Sequence, residues 1–464
     1  MNYAILINQE NKIKSNYLKK INLIATEDQN KDTVLVEEET LKAFNELQKF
    51  LKTKGINIVI DSAYRSIVDQ ENLYNESITK YGEEYTTKYV AKPNYSEHHT
   101  GLALDLSIIV NGQIQDATTH PEIYNKIYET IHSYLKDFGF ILRYPKGKEN
   151  ITGYAYEPWH IRYVGKFIAK IIFENNYTLE EYLTNYNGVL IINKPKGLTS
   201  FDVVNTVSSL FGIKRVGHTG TLDPLAEGVL VVTIGKATKI AELLTSTYKE
   251  YLAEAKLGIE TDTGDITGKI LNTKQTPLNI EIEPVLNSFQ KTYYQEVPIY
   301  SAVKVNGKKL YNYARENKKV ELPKKEVTIK EIKLLSKTNN TFTFKCTVSK
   351  GCYIRSLIKD IGTALNTYAT MSALIRTKQG KFSLEQASTL EDLKQANYQL
   401  YKIEEVLDYP TIKVDDKLGK RIQNGQKISN DFNIKDKVIF LTEEGKLLGI
   451  YEAVDNFLRT WKNF

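Results

Sequence analysis

The sequence changes character near residues 180–187, and this change constrains the fold more than any other feature. A helical stretch at 166–186, KFIAKIIFENNYTLEEYLTNY, gives way to Asn187-Gly188 and a new apolar strand, GVLIIN. Residues 1–186 hold 21 Lys and Arg against 25 Asp and Glu, whereas residues 187–464 hold 41 against 31. Because 464 residues also exceed what one hydrophobic core supports, we expect two or three domains.

The two parts should have different partners. Excess positive charge favours nucleic acid as a partner of the second part, and five of the six histidines place any histidine-rich metal site in the first. Neither a signal peptide nor an apolar run of about 18–20 residues is found. The only cysteines, Cys346 and Cys352, lie too far apart along a predicted strand to pair. We therefore expect a cytoplasmic protein with free thiols, and nothing indicates a membrane or protein partner.

Helices and strands are mixed in the first part. Apolar residues at helical spacing predict a helix over 39–54 that stops at Gly55. The other predicted elements are strand 56–60, helix 67–81, strand 101–110, helix 122–138, strand 154–164 and helix 166–186. This order predicts an α+β domain.

The second part begins with the strand at Gly188 and differs in its pattern. It is predicted to continue with helix 200–211, strand 228–234, a long series of strands through residue 350, helix 353–365 and, from about 410, short strands. The whole chain is thus predicted to be α+β and multidomain.

Three segments of the first part carry side chains typical of a metal site: Ser62-Ala-Tyr-Arg65, Ser96-Glu-His98-His-Thr-Gly-Leu-Ala-Leu-Asp105 and Glu157-Pro-Trp-His160. Two imidazoles and a carboxylate give zinc three protein ligands and leave a fourth position for water. His98, Asp105 and His160 fit these roles, although each alone would more often be structural. Glu157, three residues before a ligand, is suitably placed as the general base.

The pattern S-x-H-x-x-G-x-A-x-D followed by E-x-W-H resembles the VanY-type D-alanyl-D-alanine carboxypeptidases, over residues 1–180. The resemblance implies a Zn²⁺-dependent D,D- or L,D-carboxypeptidase acting on a peptidoglycan-type peptide that ends in a D-amino acid. Arg65 would bind the substrate carboxylate or stabilise the oxyanion, although a surface ion pair also explains an arginine there. His99 is predicted to be a bystander. The alternative is a catalytically idle peptide-binding module, against which the intact set of site residues argues.

In the second part, the loop GHTGTLDPLAEG at 217–228 presents one carboxylate, Asp223. Glycines before it and a proline after it predict a rigid irregular loop. Tyr251 follows at the start of a predicted strand, KEY. Arg355 falls in the first turn of a predicted helix, where the helix dipole disfavours a cation, so we infer a carboxylate partner and expect it to be Asp223.

Five ordered motifs of the second part resemble the TruB family of tRNA pseudouridine-55 synthases: Asn193-Lys-Pro-Lys-Gly-Leu-Thr-Ser, GHTGTLDPLAEG, KEY, Tyr300-Ser-Ala-Val-Lys and Leu374-Ile-Arg-Thr-Lys-Gln-Gly-Lys-Phe. The resemblance implies isomerisation of uridine-55 in the TψC loop of tRNA, without a cofactor. Asp223 would be the nucleophile, Tyr251 the ring on the flipped uracil and the proton acceptor, and Arg355 the partner of Asp223. The residues implied to contact RNA are Lys194, His218 and Leu374.

The resemblance also implies the domains. Residues 187–408 would form an α+β synthase domain with a mixed, largely antiparallel sheet, and residues 409–464 a small β-rich, PUA-like RNA-binding domain. Cys352 stands where the family usually has threonine, and the segment Val297-Pro-Ile-Tyr300 has one proline where the family usually has two. Neither change removes a catalytic group, so we expect activity to survive. The alternative function of this part is a tRNA-binding chaperone without catalysis, and Asp223 with Arg355 argues against it.

Overall fold

The computed structural model describes residues 2–115, 124–245, 248–277 and 280–464. The chain forms two compact units, Met1–Tyr186 with Ser208–Lys214, and Asn187–Val207 with Arg215–Phe464. The helix Leu179–Asn185, which the predicted boundary at 180 divides, belongs to the first unit because Glu180 pairs with buried Arg143 (Nη2–Oε1 2.7 Å). In the described parts of the chain, no helix combines the length and apolarity needed to cross a membrane.

The first unit is built around an antiparallel sheet. In spatial order its strands are Asn57–Ser62, Ala103–Val110, His160–Tyr163 and Phe140–Leu142, with Gln113–Gln115 paired to Ala103–Val110. A separate hairpin joins Leu23–Glu27 to Thr33–Glu37. The helices are Ser15–Leu18, Glu38–Thr53, Ile67–Tyr81, Glu83–Tyr89, Asn125–Leu135, Glu149–Thr152, Lys166–Glu174 and Leu179–Asn185.

The predicted helices 39–54 and 67–81 are confirmed. The first begins after Glu37, whose carboxylate accepts the Thr40 N–H, and buries Phe44, Leu47 and Leu51 against the sheet. The second begins with a capping box formed by Ser66 and Asp69, and it ends at Gly82, which takes a positive φ of 83°. The predicted strands 56–60 and 101–110 are also confirmed, within one or two residues.

Two predictions for this unit are wrong. The strand predicted over 154–164 is only His160–Tyr163, so Glu157 lies in the preceding loop and not on the strand. The helix predicted over 166–186 breaks into two because Asn176 takes a positive φ of 51° and Thr178 caps a second helix. Of the helix predicted over 122–138, the structure shows Asn125–Leu135 and one further turn, while residues 122–123 and His120 lie outside the described residues.

The second unit contains a nine-stranded sheet. The order of its main strands is Thr292–Glu296, Lys324–Lys337, Thr341–Val348, Lys249–Leu257, Ala369–Gln379, Glu227–Ile234 and Gly188–Lys194, and the short strands Phe382–Ser383 and Val216–His218 pair with Ala369–Gln379 and Glu227–Ile234. Only Glu227–Ile234 and Ala369–Gln379 run parallel, so the prediction of a mixed, largely antiparallel sheet is confirmed.

Helices and hairpins accompany this sheet. The helices are Ala241–Thr245, Ile282–Ser288, Leu310–Arg315, Ile354–Ala364, Leu390–Lys394 and Ile403–Val406. Two hairpins pair Ile259–Thr261 with Ile270–Thr273, and Lys304–Val305 with Lys308–Lys309. The predicted helices 200–211 and 353–365 are confirmed as Ser200–Phe211 and Ile354–Ala364. The second of these buries Leu357, Ile358 and Ile361.

The C-terminal segment is a small β-rich layer, as predicted. Its strands, in spatial order, are Thr411–Val414, Lys437–Thr442, Leu447–Val454, Phe457–Asn463 and Ile428–Ser429. The helix Asp416–Gln423 packs on them and exposes Lys417, Lys420 and Arg421. Cys346 and Cys352 are both free, which confirms that prediction.

Candidate active sites

In the first unit, the local fold brings His98, Asp105 and His160 together. Ser96 caps the short helical turn that carries His98, and Gly101, with a positive φ of 68°, redirects the chain into the strand Ala103–Val110. In that strand Asp105 is the register partner of His160, the first residue of the neighbouring strand. Sheet register and one glycine turn therefore place the three side chains at one point.

The geometry of these three side chains fits a metal ion. Their ligand atoms all lie within 4.8 Å of one another, with His98 Nε2 3.2 Å from Asp105 Oδ2 and His160 Nδ1 3.1 Å from Asp105 Oδ1. His98 Nδ1 lies 2.6 Å from the Ala63 carbonyl and must donate to it, which leaves the lone pair on Nε2. Within the described residues, buried Asp105 Oδ1 has no hydrogen-bond partner besides this His160 nitrogen. A buried carboxylate whose near neighbours are two imidazoles suits a cation.

Sequence reasoning missed Glu97, which lies behind His160. Its Oε1 accepts hydrogen bonds from Arg143 Nε (2.8 Å) and Arg162 Nη1 (2.7 Å), and its Oε2 lies 3.9 Å from His160 Nε2. Burial raises the pKa of Glu97, but the two guanidinium groups outweigh it and hold that pKa well below its usual range. The carboxylate is therefore charged and faces the nitrogen of His160 that points away from Asp105.

Glu157 and Arg65 line a cavity of about 660 Å³ that also contains His98, Asp105 and His160. Glu157 Oε2 lies 3.4 Å from His160 Nδ1, and burial, aided by the charge of Asp105, raises the pKa of Glu157 to about 8.

Two side chains hold the Arg65 guanidinium at this cavity. Its Nη1 donates to Gln70 Oε1 (2.8 Å) and its Nη2 to Ser62 Oγ (2.9 Å). His99 Nε2 accepts from the Asn94 N–H, so its Nδ1 donates to the Arg65 carbonyl at 2.7 Å. His99 thus stabilises the backbone at Arg65 and lies outside the metal cluster.

In the second unit, Asp223 and Arg355 form the predicted ion pair. Arg355 Nε lies 2.8 Å from Asp223 Oδ2, and Nη2 donates to Asp223 Oδ1 at 3.2 Å. The guanidinium also donates to the carbonyls of Thr263 (2.7 Å) and Tyr300 (3.0 Å). Burial raises the pKa of the Asp223 carboxyl, and Arg355 opposes that rise. These two parallel contacts fix the orientation of the carboxylate and also favour its charged form.

The loop that carries Asp223 is held on both sides. The Ser200 hydroxyl accepts from the Leu222 N–H (2.8 Å) and donates to the Leu222 carbonyl (3.1 Å). After the loop, Gly228 has a φ of 101°, and a side chain there would collide with the backbone of Arg376. These contacts, which sequence reasoning did not identify, fix the backbone around the carboxylate.

Tyr251 and Leu374 lie in the apolar cluster that includes Leu222 and Leu225, which flank Asp223 in the loop. Tyr251 is the register partner of Arg376, and burial raises the pKa of its phenol while Arg376 opposes that rise.

Arg376, to which the sequence assigned no role, also supports the loop. It donates to the carbonyls of Val229 (2.6 Å) and Gly220 (3.0 Å). Its position in the motif Leu374–Phe382 was the one signal available in the sequence.

His218 contacts the loop before Asp223, whereas the side chain of Lys194 is buried. His218 Nδ1 accepts from the Gly220 N–H at 3.3 Å and so braces the loop before Asp223. Lys194 is fully buried, with its ammonium donating to the carbonyls of Pro195 (2.9 Å) and Leu198 (2.6 Å). In this arrangement the ammonium is occupied by two carbonyls, and the RNA contact of Lys194 stays a prediction.

The fold and the ion pair at Asp223 define the class of the second unit, a pseudouridine synthase. Residues 208–354 match the family model described as TruB family pseudouridylate synthase (N terminal domain), and residues 355–413 match tRNA pseudouridylate synthase B C-terminal domain. The tRNA pseudouridine synthase B of Oceanobacillus iheyensis is 45% identical over 282 residues, 58% of this chain and 93% of that protein. That of Caldanaerobacter subterraneus is 39% identical over 60% of this chain and 99% of that protein. The chain belongs to the TruB family.

The first unit carries a second family domain. Residues 33–166 match the family model described as D-alanyl-D-alanine carboxypeptidase, VanY. Among solved structures, a zinc-bound vancomycin-resistance D,D-pentapeptidase is 27% identical and covers 40% of this chain and all of that chain, with a TM-score of 0.34. The chain is therefore a fusion of a VanY-type domain with a TruB-family synthase.

Proposed function

We propose that the second unit isomerises uridine-55 in the TψC loop of tRNA, with Asp223 as the nucleophile. The observation that carries this proposal is the two-point contact between Asp223 and Arg355 inside a TruB-family domain. A carboxylate fixed in orientation by a guanidinium and by a braced loop is prepared for attack. A tRNA substrate would place the reaction in the cytoplasm.

The chemistry requires the target nucleotide to leave its stack, because the glycosidic bond is not accessible inside a folded loop. Asp223 then forms a covalent adduct, and the bond between the sugar and N1 of uracil breaks. The detached base turns and rejoins through C5 as the bond to Asp223 breaks and frees the carboxylate, and C5 loses its proton while N1 gains one. We assign Tyr251 to the face of the base and to the C5 proton, and Leu374 to the pocket wall.

Position specificity gives the first test. An unmodified tRNA transcript should gain one pseudouridine in its TψC loop, and a transcript with cytidine at position 55 should gain none. Pseudouridine at other positions of the second transcript would contradict the specificity, and no product from either would favour a tRNA-binding chaperone.

For the first unit, we propose a zinc-dependent carboxypeptidase that removes a terminal D-amino acid from a peptidoglycan-type peptide. The cluster of His98, Asp105 and His160, whose ligand atoms all lie within 4.8 Å of one another, carries this proposal. These residues would hold zinc, which supplies Lewis acidity when bound. Glu157, which lines the same cavity with Oε2 3.4 Å from His160 Nδ1, is placed to take a proton from water and pass it to the leaving amine. Arg65 is oriented by Gln70 to bind the terminal carboxylate.

Release of D-alanine from peptides ending in D-Ala-D-Ala or in an L-residue followed by D-Ala tests this activity in the full chain. We expect Glu157→Gln to abolish release and Glu174→Gln, at an exposed glutamate of the same unit, to leave it unchanged. Equal loss in both variants would contradict the role of Glu157. No release by the unmodified, zinc-loaded protein would favour the peptide-binding module.

A further inference from the structure

Gln295 is a buried polar residue in an edge strand, and its position needs an explanation. Of the five residues in the strand Thr292–Glu296 it alone is buried, with 2% of its surface exposed, whereas its neighbour Tyr294 is 68% exposed. An amide taken out of water is destabilising unless its polar atoms find partners. The hydrogen bonds of Gln295 therefore identify the groups that it positions.

Both ends of the amide hold the helix that carries Arg355. Gln295 Oε1 accepts from the Tyr353 N–H at 2.8 Å, the residue that precedes the helix Ile354–Ala364. That helix start has no side-chain cap of its own, so Gln295 supplies an acceptor for one of its unpaired N–H groups. Gln295 Nε2 donates to the Tyr293 hydroxyl (2.9 Å), which donates to Asp360 Oδ2 (3.1 Å).

These contacts fix the rotation of the helix about its axis. Tyr353 and Asp360 are seven residues apart, which is close to two turns, so both anchors lie on one face. Between them Ser356 donates to the carbonyl of Glu296 (2.9 Å), the residue next to Gln295. Arg355 lies between two anchored positions, and a small rotation would move its guanidinium away from Asp223.

We propose that Gln295 is a positioning residue for the reaction of Asp223, acting through the helix start and Arg355. Its hydrogen bonds go to Tyr353 and Tyr293, and none goes to Asp223. This inference rests on the proposed synthase activity, because its effect is on the chemical step. A displacement of about 1 Å at reacting groups can cost about a hundredfold in rate.

The test uses the full chain with Gln295→Met, which keeps the length of the side chain and removes both hydrogen bonds. The kcat for pseudouridine formation should fall by about ten- to a hundredfold, while the KM for tRNA changes little, and the fall in kcat should persist at temperatures at which the variant is fully folded. Tyr294→Ala, at the exposed neighbour, should match the unmodified protein. Tyr293→Phe, which removes the link from Gln295 Nε2 to Asp360 and keeps the hydrogen bond from the Tyr353 N–H, should show a smaller loss of kcat.

If Gln295 acts through Arg355, the effects on kcat of substituting these two residues should be coupled. In an Arg355→Lys background, Gln295→Met should cause little further loss, whereas a purely structural effect would multiply with it. An unchanged kcat in Gln295→Met, or full additivity with Arg355→Lys, overturns the proposal. If Gln295→Met does not fold, an unchanged kcat in Tyr293→Phe overturns it instead. Absence of product from the unmodified protein would refute the synthase activity and is distinct from these results.

Discussion

Replacing Arg355 by leucine removes a guanidinium that contacts both oxygens of Asp223, and the direction of the effect on the carboxylate follows from the structure. Arg355 Nε lies 2.8 Å from Asp223 Oδ2, and a cation at that distance lowers the pKa of a carboxyl group. Burial acts in the opposite direction and raises the pKa of Asp223. Without Arg355, Lys194 still opposes burial, but the larger opposing charge is gone, so the pKa must rise.

The measurable consequence is a shift of the acid limb of the pH–rate profile. Asp223 must be ionised to attack, so activity is lost as the pH falls through its pKa, and a higher pKa moves this loss to higher pH. In Arg355→Leu we expect the acid limb of kcat to move to higher pH. We also expect a fall of about a hundredfold at the plateau, because the carboxylate loses its orientation.

Arg355→Lys is the matched control because it keeps the charge and loses the geometry. One ammonium cannot reach both oxygens of Asp223 and the carbonyls of Thr263 and Tyr300. Its plateau should fall, while its acid limb moves less than that of Arg355→Leu. The assay is the initial rate of pseudouridine formation at saturating tRNA across the pH range. An acid limb unchanged in Arg355→Leu would refute the electrostatic role of Arg355.

Three further predictions concern other parts of the chain. Chelation of zinc should abolish D-alanine release and lower the melting temperature of the first unit; unchanged release after complete metal removal would contradict the metal site. Glu97→Ala should destabilise the first unit by about 3–5 kcal/mol in denaturant unfolding, because Arg162 would stay buried without its carboxylate and Arg143 would keep only Glu180; a loss below about 1 kcal/mol would argue against this network. Lys194→Met should cost about 1–3 kcal/mol of stability and leave tRNA affinity unchanged, since its ammonium binds two carbonyls; weaker tRNA binding by the folded variant would instead support the RNA contact.

Strong periodicity made the long elements predictable from the sequence. The helix Glu38–Thr53 buries one apolar face, and capping residues mark the start of the helix Ile67–Tyr81. The strand predicted over 154–164 was too long because its apolar and aromatic residues pack in an irregular loop, with Tyr154 and Trp159 buried there. An alternation of burial along a loop is not distinguishable from a strand in one sequence.

The charged residues of the two sites could be predicted from the sequence, whereas the residues that hold them in position could not. Asp223 and Arg355 lie in recognisable motifs, and the inference that a cation at a helix start needs a carboxylate led to their pairing. Glu97, Arg376 and Gln295 act through partners far away in the sequence, such as Arg162, 65 residues from Glu97. Such pairings depend on sheet register and packing, which no local pattern encodes.

Pseudouridine formation in an unmodified tRNA transcript tests the central claim most directly. The unmodified protein should convert the uridine of the TψC loop with or without a zinc chelator, and Asp223→Ala should not convert it. Asp408→Ala, at a carboxylate whose side chain is 88% exposed, should convert it normally. Conversion by Asp223→Ala, or none by the unmodified protein, would contradict the account.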